Sequence, residues 1–409
     1  MLIPSSIIHS STIFIPSSAV ATKRKVREQE PVNIENKKRA KMEDRLSDLP
    51  ESLQLHILTS LDAKDAVQTS LLSRTWVSMH TRIPVLEFNS YSFKKLLVFD
   101  KFLCDVLRHR DHSAKLERLT FNRSGSCSAK ILNSVFDYAF SLGVEQLSVN
   151  LQQSRNKTWP VFPVASFESL KSLTLESQSH MICPYLGPIS RSFKSLTTMH
   201  LQHALIKDPD PFSGFPMLES LTLEDCHLCM ESEKTLRIHA LRLTDLTILS
   251  LWNISCCEVT TPRLKFFDYK GHNFHLLPTH EGLPVLEKVG IDFNGLCYRR
   301  QEKLMFDDLM AMFYSMKNVK SLTLCSSIVQ LLSFFPDELV RRSSPFRELK
   351  ELKMDFRNLL WQNLFERICV RSKETFQVPL DVKVTCSTTL RMPNFTFTYP
   401  IDLNSITSM

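Results

Sequence analysis

Glycine is scarce in this chain, with eight among 409 residues. Neither a GxGxxG nor a GxxxxGKS/T run occurs, so the backbone loops that usually cradle dinucleotides and phosphates are missing. No G-x-S-x-G turn, HExxH pair or CxxC pair with partner ligands appears either. The eleven cysteines follow no framework spacing, and an odd count without regular pairs fits a reducing compartment. No apolar run approaches the ~20 residues needed to span a bilayer. These absences lead us to expect a non-catalytic protein with no cofactor, no metal and no membrane partner.

What is present is an ordinary hydrophobic content of 43%, enough for a substantial core. The length allows one large domain, or a small module plus a bigger one. The net charge of +7 is mostly in one place: between Lys23 and Arg45, nine Lys/Arg meet five Asp/Glu. The remainder is nearly balanced, so the basic run reads as a tail or an address, and direct nucleic-acid binding is not expected.

Residues 1–43 read as a disordered basic tail. Ala19-Val20-Ala21 could pass for a signal-peptidase site, and the sequons at Asn122, Asn156, Asn253 and Asn394 would suit secretion. Against that, Met1–Thr22 has no basic n-region, and Pro4, Pro16 and six serines break its apolar run. Lys23, Arg24 and Lys25, then Lys37, Lys38, Arg39 and Lys41, form two clusters resembling a bipartite nuclear-localisation signal. The bland alternative is a solvated linker. The nucleus is the expected location, with the cytoplasm as alternative.

Residues 44–90 read as three short helices. Asp48-Leu49-Pro50-Glu51 is a helix start, with Pro tolerated in the first turn and acids at the positive end of the dipole. Leu53, Ile57 and Leu61 recur every four residues, and Leu55 and Leu58 widen the stripe. Asp62 can cap a second helix carrying Ala66, Val67 and Leu71, and Ser73 a third carrying Trp76 and Val77. So small a core needs a neighbour or a partner. Leu49-Pro50, Ile57-Leu58, Leu61, Ala66-Val67, Leu72-Ser73-Arg74 and Trp76 resemble the signature positions of an F-box. That resemblance implies docking onto a Skp-type adaptor and, through it, a cullin-RING ubiquitin ligase. It makes Leu49, Pro50, Leu53, Ile57, Leu58, Leu61, Val67, Leu72, Ser73 and Trp76 candidates for adaptor contact or for the core behind it. Two departures stand out: Asp62-Ala63-Lys64 replaces Pro-Thr-Lys, and Met79-His80 replaces Leu-Trp.

Residues 91–378 repeat themselves. Copies beginning at Phe167, Phe193, Phe215, Leu283 and Phe346 share an apolar residue, two spacers and L-x-x-φ-x-φ, where φ is apolar. Weaker copies end at Phe121, Val149, Leu251, Tyr269 and Leu324. The middle apolar positions are Leu119, Leu147, Leu173, Met199, Leu221, Leu249, Phe267, Val289, Leu322 and Leu352. Leu218–Leu228 fits the complete L-x-x-L-x-L-x-x-N/C-x-L pattern, with Cys226 inside a turn. The array resembles a leucine-rich repeat. The expected fold is therefore α/β, a three-helix F-box followed by an irregular solenoid with a parallel sheet and helices or loops on the outer face. Helices are expected near Ser92–Arg110, around Ile131–Phe140 up to Gly143, at Phe306–Met316 and at Leu359–Val370. Residues 379–409 read as capping strands or a loose tail. The function implied is a substrate-recognition subunit that holds an unidentified target protein on its repeats. The alternatives are a repeat scaffold without a ligase role, and a nuclear protein that meets nucleic acid through its tail.

Overall fold

The computed structural model describes residues 46–72, 75–152, 168–178, 193–230, 234–271, 276–278, 283–293, 302–342, 345–355, 383–392 and 395–402. The basic clusters, Ser73 and the expected helix at Leu359–Val370 lie outside these residues. Two α-helices come first, α1 (Glu51–Leu58) and α2 (Ala63–Gln68). Pro50 stands at the N-cap of α1. Asp62 caps α2 as its position predicts, its carboxylate accepting the Asp65 N–H at 2.8 Å. The third expected α-helix is instead a pair of 3-10 turns, Thr75–Val77 and Met79–Arg82. β-Branched Thr75, Val77 and Thr81 disfavour a longer α-helix here. The tighter winding still brings Trp76 and Met79 into one small core with Leu58, Ala66 and Ile83.

The first strand, β1 (Val85–Asn89), follows at once, inside the stretch that resembles the F-box. After it come α3 (Leu96–His109), β2 (Arg118–Ser124), α4 (Ala129–Ser141) and β3 (Gln146–Gln152). Strands then follow closely: β4 (Ser172–Ser177), β5 (Thr198–Gln202), β6 (Leu205–Ile206), β7 (Ser220–Leu228) and β8 (Thr235–His239). Next are β9 (Asp245–Trp252), β10 (Cys256–Thr260), β11 (Phe266–Gly271), β12 (Leu276–Pro278) and β13 (Lys288–Phe293). The last part holds α5 (Glu302–Ser315), β14 (Ser321–Cys325), α6 (Ser326–Ser333), α7 (Pro336–Arg341) and β15 (Glu351–Asp355). Two long strands finish it, β16 (Lys383–Met392) and β17 (Phe395–Asp402).

The main sheet runs β1-β2-β3-β4-β5-β7-β9-β11-β13-β14-β15-β16-β17, with β6 beside β7. Every neighbour is parallel except the closing pair, β16 against β17. Because strand side chains alternate, each copy of φ-x-φ sends its apolar residues to one side. Leu119, Leu147, Leu173, Met199 and Leu221 are thus consecutive register partners, all buried. The chain segments returning between strands cover that side. Phe99, Leu103 and Leu107 of α3 and Val135, Phe136 and Ala139 of α4 join the same core. Gly143 ends the α4 segment at φ 60°, a left-handed conformation that suits glycine.

One repeat sits in a different register from the expected one. Leu246, not Leu249, pairs with both Leu221 and Phe267. The run Leu243–Leu251 contains two overlapping copies of L-x-x-φ-x-φ, and the chain uses the first. Leu243, Leu246 and Ile248 are buried, whereas Leu249 and Leu251 are only half-buried. The choice evens the array, with steps of 25 and 21 residues replacing 28 and 18. A second departure is a separate parallel sheet of β8, β10 and β12. In these repeats the return path is itself extended. Cys226 lies within β7, opposite Leu251, and not in a turn; it is fully buried, and its thiol meets backbone carbonyls as expected, 3.4 Å from that of Leu201 and 3.5 Å from that of Glu224.

Candidate partner-binding surfaces

The helical module sorts its candidate residues into two groups. Leu58 and Trp76 form its core, and Leu61 packs against that core. Leu49 and Val67 are half-buried, and Pro50 is exposed. Leu53 (49% exposed) and Ile57 (39%), four residues apart on one face of α1, are uncovered, as are Leu71 (86%), Leu72 and Val77. A small module that fills its own core yet leaves these side chains in solvent presents an apolar surface of the kind that marks a docking site.

Gln54, Ser47 and Arg82, which the sequence pattern does not single out, help hold this surface in place. Gln54 is buried in α1, and its amide donates to the carbonyls of Leu46, Ser47 and Leu49, the last at 2.9 Å. It thereby fixes the approach to the helix. Trp76 Nε1 donates to Ser47 Oγ at 3.2 Å, and an Arg82–Glu51 ion pair ties the last turn back to α1. Asp62 accepts from Ser92 Oγ at 2.8 Å, while Lys64 Nζ donates to the Ser92 carbonyl at 2.6 Å. The departure at Asp62-Ala63-Lys64 thus ties α2 to the segment after β1, and Ala63 itself belongs to the core of the repeats.

The second surface is the open side of the main sheet, where the residues between the buried ones face outward. In its middle three neighbouring strands contribute Glu176, His200 and Glu224. His200 Nδ1 lies 3.7 Å from Glu176 Oε1 and its Nε2 3.5 Å from Glu224 Oε2. Asn150 extends the row by donating to Glu176 at 2.6 Å. At the entry to β3, Glu145 lies between Lys115 (2.7 Å) and Lys171 (2.9 Å). Hydrogen bonds from these two ammonium groups pull its carboxyl down to about 2. On and beside this face Lys171, Glu219, Glu287, Lys288 and Lys350 are exposed, and Thr174, Thr222, Glu351 and Lys353 half-buried.

The F-box domain model matches residues 46–79. The model described as "At1g61320/AtMIF1, LRR domain" matches residues 106–358, more than half of the chain. The chain belongs to the F-box/leucine-rich-repeat family. Among curated relatives, the F-box/LRR-repeat protein At3g26922 of Arabidopsis thaliana is 30% identical over 242 residues, which are 56% of this chain and 76% of the relative. The putative F-box/FBD/LRR-repeat protein At4g03220 of the same plant is 26% identical over 355 residues, covering 77% of this chain and 69% of its own. As an F-box/leucine-rich-repeat protein, the chain combines two domains typical of non-catalytic adaptor proteins, and F-box domains generally bind Skp-type adaptors of cullin ligases. No helix among the described residues is long and apolar enough to cross a membrane.

Proposed function

We propose that this chain is the substrate-recognition subunit of a Skp–cullin–F-box ubiquitin ligase. Its F-box holds the Skp-type adaptor, and the open face of its repeats holds a target protein. The observation that carries the reading is the uncovered apolar set of Leu53, Ile57, Leu71, Leu72 and Val77 beside a completed core of Leu58, Ala66, Trp76, Met79 and Ile83. The chain makes and breaks no bond itself. Holding a target near the ubiquitin-loading enzyme raises its effective concentration, and proximity is the contribution.

Co-purification of the full chain with a Skp-type adaptor tests this. Leu53→Asp with Ile57→Asp is expected to abolish capture while leaving the thermal unfolding midpoint within a few degrees, because neither side chain belongs to the module's core. Capture that survives this pair of charges would sink the reading. The basic clusters Lys23–Lys25 and Lys37–Lys41 are assigned to nuclear import. Replacing their seven cations with Gln should move a fluorescently tagged chain to the cytoplasm, and unchanged nuclear signal would refute it.

A further inference from the structure

At the entry to each strand of the main sheet one backbone N–H donates to the carbonyl of its counterpart in the previous repeat. The chain of donors runs Glu145, Lys171, Thr197, Glu219, Thr244, Lys265, Glu287, Lys320 and Lys350, and Lys383, one position further along its strand, donates to the Lys350 carbonyl. Side chains at this row therefore stand one strand apart, about 4.8 Å. Its composition changes along the array. Before Lys265 the row and the open face beside it carry Glu117, Glu145, Glu176, Glu219, Glu224 and Asp245, against Lys115, Arg118 and Lys171. From Lys265 onward they carry seven lysines, Lys265, Lys270, Lys288, Lys320, Lys350, Lys353 and Lys383, against five carboxylates, Asp268, Glu287, Asp292, Glu351 and Asp355.

Pairing does not neutralise the second arc. Lys320 takes Glu287 at 2.9 Å and Lys353 takes Glu351 at 3.3 Å. Lys265, Lys288, Lys350 and Lys383 are exposed and have no carboxylate within 4 Å among the described residues. Lys288 and Lys383 share one register row, with Ser321 and Glu351 between them. Lys265 and Lys350 stand on the entry row and Lys288 and Lys383 on the row beside it, with Lys288 over the Phe266 ring, so four exposed ammonium groups without an ion-pair partner line one edge of the sheet.

We propose that this lysine row seats an acidic segment of the target protein, which fixes the direction in which the target lies along the repeats. The proposal rests on the receptor role argued above and names the chemistry of the substrate at the same face. A polypeptide fits better than a nucleic acid. Glu287 and Glu351, with Asp268, Asp292 and Asp355 on the face beside them, interrupt the lysines and would meet a continuous phosphate backbone with like charge, and the row offers no arginine for bidentate phosphate binding. The same interruptions suit a peptide that alternates acidic and neutral side chains. The acidic arc in the earlier repeats disfavours the reverse orientation, since like charges across an interface are repulsive.

The test uses the full chain and three labelled probes: a ten-residue glutamate peptide, a ten-residue lysine peptide and a ten-nucleotide single-stranded DNA. The glutamate peptide is expected to bind, to weaken steeply with salt, and to lose about tenfold in affinity when Lys265, Lys288, Lys350 and Lys383 are all changed to Glu. Changing the seven tail cations to Gln should leave most of that binding in place. Loss on the tail variant with no loss on the row variant would overturn the proposal, as would tighter binding of the DNA than of the glutamate peptide. If the fourfold variant does not fold, Lys350→Gln with Lys383→Gln is the substitute, expected to weaken the peptide about threefold. Adaptor capture by the same proteins is read in parallel. A chain that captures the adaptor but is indifferent to the row changes sinks only the acidic-segment proposal. A chain that prefers the glutamate peptide through the row but never captures the adaptor sinks the ligase reading.

Discussion

The guanidinium of Arg110 donates to the backbone carbonyl of Ile83 at 2.8 Å. Ile83 closes the core of the F-box module, and Arg110 caps the first helix of the repeats. The same guanidinium reaches the carbonyls of Ala114 at 2.8 Å and of Asp111 and Lys115 at 3.1 Å. Only 3% of Arg110 is exposed, so one side chain satisfies four carbonyls where module and repeats join.

Arg110→Met keeps most of the stem and removes every donor. Buried carbonyls left without partners should cost about 3 kcal/mol. The unfolding midpoint in urea should fall accordingly. A midpoint unchanged within error would mean that water or backbone readjustment replaces the guanidinium.

The register of β9 has its own test. Leu246→Ala empties a site in the core and should cost about 2–5 kcal/mol. Leu249→Ala alters the open face and should cost under about 0.5 kcal/mol. Denaturant unfolding of the two variants, side by side, separates the registers, and the opposite ranking would restore Leu249 to the core.

The Glu145 carboxyl is held down at about 2 by Lys115 and Lys171, against an ordinary value of 4.5. A group depressed on folding contributes stability that is present above its unfolded value and lost as pH falls through the folded one. Glu145→Gln should therefore lower stability modestly at neutral pH, and its curve should meet that of the parent as pH drops from 4.5 toward 2. Added salt should shrink the gap, because all three groups face solvent. A gap that persists at pH 2 would assign the effect to something other than charge.

Thiol chemistry gives another readout. Burial pushes the Cys127 thiol up to about 11 and also raises Cys257, while Cys229 is exposed. Iodoacetamide at pH 8 should modify Cys229 in the native chain and reach Cys127 and Cys257 only after unfolding, as peptide mapping would reveal. A thiol raised on folding keeps its proton longer in the native state, so Cys127 should make stability fall as pH rises from 9 toward 11. Rapid native labelling of Cys127 would contradict its placement.

Much of this fold is written in local pattern. The φ-x-φ ladder, the stop at Gly143 and the cap at Asp62 each follow from spacing and residue type alone, and each appears where expected. The misreadings have physical causes. In Leu243–Leu251 two registers are equally apolar, and only the neighbours Leu221 and Phe267 decide between them. Gln54 and Arg110 look like ordinary surface residues until the chain turns back on them, Gln54 taking carbonyls five to eight residues before it and Arg110 adding the more distant one of Ile83. The extended return path through β8 and β10 depends on a partner strand that no local window contains. The exposed lysines were legible only as scattered charge, because Lys265, Lys288, Lys350 and Lys383 are 23, 62 and 33 positions apart in the chain and are gathered at one end of the array only by the sheet.

Strand β1 has a single neighbour, β2, and it begins two residues after Ile83. A cut after Ser90 would not yield two finished pieces. It would strip β2 of its cover and leave a bare border on which a second molecule could lay down a strand. Anyone who wants the repeats alone must carry Val85–Asn89 along with them, and solubility will fail before affinity does if they do not.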